Sequence, residues 1–469
     1  MTPTPARRVA VIFVLIAALL GVVAADRMAD EPETEVRALP GTETPEAHPA
    51  SSLSSSWFCP GGPTDGGALG TRIMVMNPES EGVRVVVTAM PQTGDPGQKA
   101  FDVGPSSGLP IVLRDIVASP WTAALVEVEG AGVVVEQSVS LPNEFDTSPC
   151  APAASPTWYF ASGSTARDAT MTVALMNPFP DDAIVDMAFA TGEGRRVPGY
   201  FEGLVVRGGS VLAVDIGSHV RRQDVVSTEV KARSGRVVAS QLLLRSAPGV
   251  FGVSLTLGAP RLGKEWVFPD GLAHDGVVER FEFFNPTEQE ARVDIELALI
   301  EGETEPFEIT IPAQGRFTLN PREGDRVPKG VSHAALVTSV NDVPIVATRV
   351  FESSTPRVGR SDMLGARRAS SRWALAFGSA TAVNDEWVIV FNADDQPARV
   401  SFTALADGQR IAVEGLQDIE VPAGRRVGFR LTDHIKRDSL PLVVDATRPV
   451  FVERALFSSV STSVGIPLD

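Results

Sequence analysis

Residues 57–62 read WFCPGG and residues 72–78 read RIMVMNP, so a tryptophan stands twenty residues before an asparagine that closes an apolar run. The same frame occurs three more times, with a spacing of nineteen residues. The four pairs are Trp57 and Asn77, Trp158 and Asn177, Trp266 and Asn285, and Trp373 and Asn392. Successive asparagines are 100, 108 and 107 residues apart. A period of this length indicates four consecutive copies of one small domain.

Each copy has the sequence pattern of antiparallel β-strands. Large aliphatic side chains in residues 293–299 alternate with Asp294, Glu296 and Ala298, the period of two that is typical of a half-buried strand. Every copy ends in two apolar runs joined by turn residues, as in a hairpin. We count about seven strands per copy and no amphipathic helix of useful length, which predicts an all-β chain of four tandem immunoglobulin-like antiparallel β-sandwiches.

The limits of the four sandwiches fall in the short segments CAPAASPT, GAPRLGK and GARRASS. The predicted domains are residues 57–152, 153–262, 263–370 and 371–469. Because these connections are too short to act as flexible tethers, we expect neighbouring sandwiches to touch and to form a semi-rigid rod or arc.

The N-terminal residues have the pattern of an export signal that is retained as an anchor. Arg7 and Arg8 precede an unbroken apolar run at residues 9–25. We predict a cytoplasmic tail at residues 1–8, a transmembrane signal anchor at residues 9–25 and a disordered acidic stalk at residues 26–56. Residues 23–25 also suit a signal peptidase, so the sequence leaves cleavage of the anchor open.

The overall charge excludes some partners. The chain has 41 basic and 58 acidic residues, a formal net charge of −17, and 43% hydrophobic residues. An acidic surface repels phosphate backbones, so nucleic acid is not an expected partner. The hydrophobic fraction is sufficient for well-packed cores.

The recurring tryptophans and asparagines have structural explanations. A tryptophan that starts the first strand at the same phase in every copy is expected to fill the core at one end of the sandwich. An asparagine at the end of a strand, three times followed by proline, is expected to close a turn by bonding its own backbone. Sugar stacking by the indoles and an active-site role for the amides are the functional alternatives.

Cys59 and Cys150 are the only two cysteines, and they lie at opposite ends of the first copy. In an exported protein this arrangement predicts a disulfide. Closing a loop of this length would stabilise the fold by about 4–5 kcal/mol in the chain-entropy account.

A pair of residues in the last strand of each copy also recurs. The pairs are Glu136 and Gln137, Ser240 and Gln241, Thr348 and Arg349, and Glu453 and Arg454. Arg349 and Arg454 are candidate binding residues, since a guanidinium can bind a carboxylate through two hydrogen bonds. The alternative is that the pairs form the solvent face of an edge strand, where charge discourages aggregation.

Two further tryptophans, Trp121 and Trp387, fall outside the recurring frame and are candidate binding residues for that reason. Filling of local gaps in the core is the alternative explanation for both. Whether either indole is exposed therefore distinguishes the two explanations.

We find no sequence pattern for catalysis, a cofactor or a metal. The chain has no nucleophile elbow, phosphate-binding loop or dinucleotide fingerprint between a strand and a helix. The five histidines are scattered, at positions 48, 219, 274, 333 and 434. The acidic pairs Asp181-Asp182 and Asp394-Asp395 follow the recurring asparagines and fit exposed loop tips better than catalytic carboxylates.

The N-terminal apolar run, the acidic stalk, the WFCPG-type first strand and the repeated apolar runs that end in Asn-Pro resemble an uncharacterised family of actinobacterial signal-anchored exported proteins. The resemblance implies a location in the cell envelope. It implies no catalytic residues, because the shared motifs are structural.

These observations predict a single-pass membrane protein, with a cytoplasmic N-terminus and four sandwiches outside the cytoplasmic membrane. We expect a non-enzymatic scaffold or interaction protein of the bacterial cell envelope, whose partner is another envelope protein or a cell-wall polymer. The alternatives are a carbohydrate-binding adhesin with an exposed aromatic row and an envelope hydrolase with a site between repeats.

Overall fold

A computed structural model describes residues 45–49, 52–142, 144–247, 250–272, 276–302, 304–323, 326–355, 358–457 and 460–468. Within these ranges the chain is all-β, and its helical structure is limited to short 3-10 turns such as Leu113–Asp115. None of the described helices is long and apolar enough to cross a bilayer. The predicted cytoplasmic tail at residues 1–8 and the predicted anchor at residues 9–25 lie outside the described ranges.

The strands form four pairs of antiparallel sheets in chain order. The strands of sheet pair 1 are β1 (Ser55–Gly62), β2 (Gly70–Asn77), β3 (Val83–Pro91), β4 (Gly97–Val103), β5 (Ser107–Val112), β6 (Thr122–Val128), β7 (Val134–Leu141) and β8 (Glu144–Pro149). Its first sheet has the order β1-β6-β3-β4, and its second sheet has the order β5-β2-β7-β8.

Sheet pair 2 has one additional short strand. Its strands are β9 (Thr157–Phe160), β10 (Ala169–Asn177), β11 (Ala183–Thr191), β12 (Gly194–Arg196), β13 (Leu204–Val206), β14 (Ser210–Asp215), β15 (Val226–Ser234), β16 (Val238–Ala247) and β17 (Val250–Leu257). The first sheet has the order β9-β15-β11-β12, with β13 also paired to β11, and the second sheet has the order β14-β10-β16-β17.

Sheet pair 3 repeats the order of sheet pair 1. Its strands are β18 (Glu265–Phe268), β19 (Val277–Asn285), β20 (Ala291–Leu299), β21 (Phe307–Ile311), β22 (Gly315–Leu319), β23 (His333–Ser339), β24 (Val346–Ser353) and β25 (Gly359–Leu364). The two sheets have the orders β18-β23-β20-β21 and β22-β19-β24-β25.

In sheet pair 4 a single long strand belongs to both sheets. The strands are β26 (Ser370–Leu375), β27 (Asp385–Asn392), β28 (Ala398–Ala406), β29 (Gln409–Ala412), β30 (Ile419–Val421), β31 (Arg425–Arg430), β32 (Leu442–Phe457), β33 (Ser461–Val464) and β34 (Ile466–Pro467). The first half of β32 pairs with β26 and β28, and its second half pairs with β27 and β33.

A further strand after the predicted hairpin in each pair was not expected from the sequence. We call β8, β17, β25 and β33 the closing strands; each pairs with the last strand of the predicted hairpin, β7, β16, β24 or the second half of β32. The last hairpin strand is therefore internal to its sheet. The prediction of an edge strand with a solvent face is wrong at this position.

The chain after each closing strand returns to the first strand of its own pair. Ala151 pairs with Phe58, Ala259 with Tyr159, and Ala366 with Val267, while β34 pairs with β26 at the end of the chain. The first three of these residues lie in the segments predicted to connect neighbouring sandwiches. Each connection begins as part of the preceding sheet pair.

Apolar cores continue from one sheet pair into the next. Ala161 and Ala190 of pair 2 belong to the core of pair 3, and Phe377 of pair 4 belongs to the core of pair 1. A separate buried cluster, which includes Val267 and Phe451, joins pairs 3 and 4. Since pair 4 contacts pair 1, the contacts form a closed cycle, and the expected open rod or arc is wrong.

The end of the predicted stalk also differs from the expectation. Ala47 is 9% exposed, and its N–H donates to the carbonyl of Pro467 at 2.8 Å. Arg368 donates to the carboxylate of Glu46 at 2.6 Å. Residues 45–49 are therefore packed on the folded part of the chain, whereas the stalk was predicted to be disordered as far as residue 56.

Candidate functional site at the junctions between sheet pairs

The four tryptophans of the recurring frame are equivalent in their surroundings. All are at most 1% exposed, and each indole N–H donates to a backbone carbonyl at the start of the last hairpin strand. The acceptors are Val133 for Trp57, Val237 for Trp158, Ile345 for Trp266 and Val450 for Trp373. The structure thus places these indoles inside the sheet pairs, where no surface ligand can stack on them.

The four asparagines also make one set of contacts. In Asn77, the side-chain N–H groups donate to the carbonyls of Glu81 and Gly104, and the side-chain oxygen accepts from Glu79 N–H. The same three types of bond occur at Asn177, Asn285 and Asn392. Each amide is fully used in holding the turn that follows its strand.

The predicted disulfide between Cys59 and Cys150 is confirmed. It joins β1 to the residue after β8. At the positions that correspond to Cys59 and Cys150, the other three sheet pairs have a large side chain and a glycine. A methyl group added to Gly258 would lie 2.8 Å from the ring of Phe160, and one added to Gly365 would lie 2.9 Å from that of Phe268. The equivalent pair in sheet pair 4 is Leu375 and Gly465. Packing of a large side chain over a glycine therefore takes the place of the covalent link.

Arg349 and Arg454 do bind carboxylates, and these belong to the same chain. Arg349 donates through both terminal nitrogens to Glu453 of the next sheet pair, and also to the carbonyl of Asp270. The second oxygen of Glu453 accepts the N–H of Asp270 at 3.1 Å. All the side-chain atoms of this ion pair are excluded from solvent.

The same arrangement closes the cycle between sheet pairs 4 and 1. Arg454 donates to Glu136 at 3.2 Å, and Glu136 accepts the N–H of Phe377 at 2.7 Å. Phe377 lies four residues after Trp373, just as Asp270 lies four residues after Trp266. Two junctions therefore have the same arginine, carboxylate and backbone N–H.

The other two junctions have neutral residues at the corresponding positions. Gln137 of pair 1 and Ser240 of pair 2 take the places of arginine and glutamate, as do Gln241 of pair 2 and Thr348 of pair 3. Gln137 accepts the N–H of Gly61, and Gln241 donates to the carbonyl of Ser162. A junction without the arginine thus also lacks the glutamate, so no unpaired charge is buried at these positions.

The four closing strands meet at the centre and bond in a cycle. Asp146 in β8 accepts from Leu255 N–H in β17 at 2.8 Å and from the Ser461 hydroxyl in β33 at 2.6 Å. Asp362 N–H in β25 donates to Ser254 in β17, and Thr462 N–H in β33 donates to Ser361 in β25. These polar side chains are buried and partnered only because four sheet pairs surround them.

Burial changes the acidity of the carboxyl groups in these junctions. Burial raises the pKa of Asp146 well above its ordinary value, against the hydrogen bonds from Ser461 and Leu255. It also raises the pKa of Glu453, although Arg349 opposes the shift. Burial raises the pKa of Glu386 to about 7, and this carboxylate accepts Ser379 N–H beside the Arg454–Glu136 pair.

A cleft of about 620 Å³ opens beside the junction of sheet pairs 1 and 4. One wall is the outer face of β2, β7 and β8 with Arg72, Ser138 and Glu144, and the other is the loop after β26 with Ser379 and Asn384. Volumes of this size suit a small organic ligand. Sequence reasoning missed this site because its two walls lie more than two hundred residues apart in the chain.

The two tryptophans outside the frame have different surroundings. Trp121 is 4% exposed, and its indole N–H donates to the carbonyl of Pro60 at 2.8 Å. Trp387 is half-buried on β27. The structure does not bring the two together, and Trp121 is unavailable to a surface ligand.

The acidic pairs and histidines form no metal-binding group within the described part of the chain. Asp182 accepts the N–H of Gly208, and Asp394 accepts from Arg448 at 2.9 Å. His333 is buried at 3.1 Å from Glu279, and His219 stacks on Tyr200. His274 lies outside the described residues.

The family model that matches the chain describes a family of unknown function, DUF5719, and covers residues 145–363. The match begins in β8 and ends in β25, so it spans sheet pairs 2 and 3 and the closing strand before them. A domain of an uncharacterised family is therefore present in the middle of the chain. No curated protein matches the chain.

Solved structures give only weak similarities. A Thermotoga maritima protein is 18% identical with a TM-score of 0.21, covering 23% of this chain and 95% of that one. The Anabaena sensory rhodopsin transducer is 21% identical with a TM-score of 0.17, covering 19% and 94%. A glycoside hydrolase of family 32 from Bifidobacterium adolescentis is 10% identical with a TM-score of 0.14, covering 89% and 96%. At these scores the similarities support no conclusion about fold or function.

Proposed function

We propose that the chain is a non-enzymatic scaffold or interaction protein of the bacterial cell envelope. In this proposal the sheet pairs are four immunoglobulin-like copies of one module, residues 9–25 anchor them, and the protein is of an actinobacterial signal-anchored exported type. The partner is another envelope protein or a cell-wall polymer that contacts loops at the module ends.

The observation that supports this role is that buried arginine–glutamate pairs connect neighbouring modules. Arg349, Glu453, Arg454 and Glu136 join successive modules and are at most 1% exposed. An arginine that is sealed in an ion pair cannot bind a substrate, but it can hold two modules in a fixed relation. Two such ionic junctions and two neutral ones complete the cycle, which makes a rigid platform for partner binding.

Two fusions test the location. Alkaline phosphatase is active only outside the cytoplasm. Green fluorescent protein is fluorescent inside the cytoplasm but not after export by the general secretory pathway. Each protein would be fused after Asp469. We expect phosphatase activity in the membrane fraction and no fluorescence. The reverse result would refute the extracytoplasmic part of the proposal.

Photocrosslinking in cells tests the scaffold role itself. A photoreactive amino acid would replace Tyr200, which is 55% exposed, or Val340, which is 51% exposed. The matched control replaces Trp121, which is buried. We expect one envelope protein or glycan to be captured reproducibly from exposed positions and not from the control, and capture of no defined species would contradict the proposal.

One observation favours the alternative of an envelope hydrolase. Glu144 and Asp438 both line the cleft, and burial raises the pKa of Glu144 to about 7. Cleavage of a glycosidic bond uses one protonated and one ionised carboxyl group. Release of reducing ends from wall glycans by the wild type but not by Glu144→Gln would support this alternative over the scaffold.

A further inference from the structure

The cleft between sheet pairs 1 and 4 has polar groups in its lining that the ion pairs of the junctions do not use. Its polar lining consists largely of hydroxyl and amide groups, and the residues are Ser138, Ser140, Ser379, Asn384 and Ser439. Apolar side chains alternate with them, among them Met74, Phe145, Phe377 and Leu456.

Ser138 is the most informative of these residues. It is 1% exposed, it lines the cleft, and its hydroxyl has no hydrogen-bond partner in the described part of the chain. A buried hydroxyl without a partner is destabilising, so a group in the cleft that bonds it would recover the lost free energy.

Comparison of the four sheet pairs sets Ser138 apart. Ser138 pairs with Arg72 across β7 and β2, and the corresponding residues of the last hairpin strand are Leu242, Val350 and Ala455. An apolar residue therefore serves the fold at this position in three of the four sheet pairs. Since the fold does not require a hydroxyl there, ligand binding is a better explanation for it.

The lining also has nearly balanced charge. Arg72 contributes one positive charge, and Asp438 one negative charge. Glu144 is 7% exposed, and burial raises its pKa to about 7, so it is only partly ionised at neutral pH. A lining of this kind attracts neither a strong anion nor a strong cation and favours a neutral ligand.

We propose that this cleft binds a neutral carbohydrate unit of one or two rings. The hydroxyl groups of a sugar both donate and accept, which suits serine, asparagine and carboxyl partners, while its C–H faces pack on Met74, Phe145 and Phe377. Ser138 bonds a sugar hydroxyl at the base of the cleft, and Arg72 donates to a sugar oxygen at the rim. The inference does not depend on where the chain is displayed.

The test is saturation-transfer NMR on the purified full chain with a panel of named sugars. The panel contains glucose, galactose, mannose, N-acetylglucosamine, cellobiose and trehalose, with glucosamine as a cationic probe. We expect transfer from at least one neutral sugar, and a weaker signal from glucosamine than from N-acetylglucosamine. No transfer at about 10 mM sugar, which would detect a Kd of ~1 mM, would overturn the proposal.

Variants place the binding in the cleft. Ser138→Ala removes the hydroxyl and is expected to weaken binding roughly 5-fold, the effect of one neutral hydrogen bond. Ser140→Trp fills the cleft and is expected to abolish binding. The matched control is Ser240→Ala, because Ser240 is also buried and its hydroxyl also lacks a partner in the described residues, but it does not line the cleft.

The unfolding midpoint of each variant is measured beside its affinity. Reduced binding in Ser138→Ala with wild-type stability and wild-type binding in Ser240→Ala supports the proposal. Equal affinity in all variants, or stronger binding of glucosamine than of every neutral sugar, overturns it.

Discussion

Arg454 in the last module donates to Glu136 in the first at 3.2 Å, across 318 residues of chain, and both side chains are buried. This ion pair closes the cycle of modules. Arg349 and Glu453 form the same pair one junction earlier, and glutamine with serine or threonine stands at the two remaining junctions. The chain thus contains natural versions of both the ionic and the neutral junction.

The first prediction exchanges the residues of an ionic junction for those of a neutral junction. Arg454→Gln leaves Glu136 as an unpaired buried charge and is expected to lower the free energy of unfolding by roughly 3–5 kcal/mol. Adding Glu136→Ser reproduces the composition of the Gln137–Ser240 junction and is expected to restore most of the loss. Urea unfolding followed by tryptophan fluorescence measures the coupling as a double-mutant cycle.

Arg399→Gln is the control for the first prediction. Arg399 pairs with Asp418 on the surface, where the two side chains are 47% and 71% exposed. Its loss is expected to change the free energy of unfolding by less than about 1 kcal/mol. If the double variant at the closing junction were less stable than Arg454→Gln alone, the equivalence of the two junction types would be wrong.

The sequence predicts the elements that depend on local pattern. The period of two in residues 293–299 and the spacing of Trp266 and Asn285 depend on contacts within one module, so they are visible in the residue order. The closing strands were missed because Asp146, Ser254 and Ser361 are polar and have the composition of loops. They become buried and bonded only when residues that are remote in sequence surround them.

The pairs of residues at the junctions also could not be predicted from the sequence alone. Glu453 and Arg454 are adjacent in sequence, which suggests that they act together. In the structure Glu453 pairs with Arg349 of the preceding module, and Arg454 pairs with Glu136 of the first. The relevant pairs are offset by one module, an offset that becomes evident only once the order of modules in space is known. The cleft at Ser138 depends on the same closure.

The second prediction concerns pH. Burial raises the pKa of Glu386 from 4.5 to about 7, so the folded state holds a proton that the unfolded state has lost between these values. The stability that protonation of Glu386 contributes to the folded state is therefore fully present below pH 4.5 and is lost as the pH rises towards 7. Glu386→Gln is expected to flatten the pH dependence of the melting temperature in this window.

The exposed residue Glu308 supplies the control for the pH prediction. Glu308→Gln is expected to leave the slope of melting temperature against pH unchanged between pH 4.5 and 7. An identical slope in the wild type and in Glu386→Gln would show that Glu386 is not protonated in the folded state at these pH values.

The third prediction concerns the turn that follows each recurring asparagine. Asn177→Ala removes the donor to the carbonyls of Asp181 and Val206, of which the bond to Val206 is buried. We expect a loss of about 2–3 kcal/mol in the free energy of unfolding. Gln98→Ala, which removes an exposed hydrogen bond to Thr88, is the control and is expected to have little effect. Equal small effects at both positions would mean that the amide does not hold the turn.

The last prediction exchanges the disulfide for the packing found in the other modules. Cys59→Phe alone places a ring against a side chain at position 150, whereas the modules with phenylalanine at the corresponding place have glycine opposite it. Cys59→Phe with Cys150→Gly is therefore expected to be more stable than Cys59→Phe alone under reducing conditions. Relative to the oxidised wild type, the double variant still lacks a covalent link and is expected to lose no more than the roughly 2–5 kcal/mol typical of a native disulfide. Thermal unfolding with and without reductant measures both differences, and reductant should shift the midpoint of the wild type but not that of the double variant. A double variant that is less stable than Cys59→Phe alone would show that a ring over glycine cannot replace the covalent link between β1 and the segment after β8.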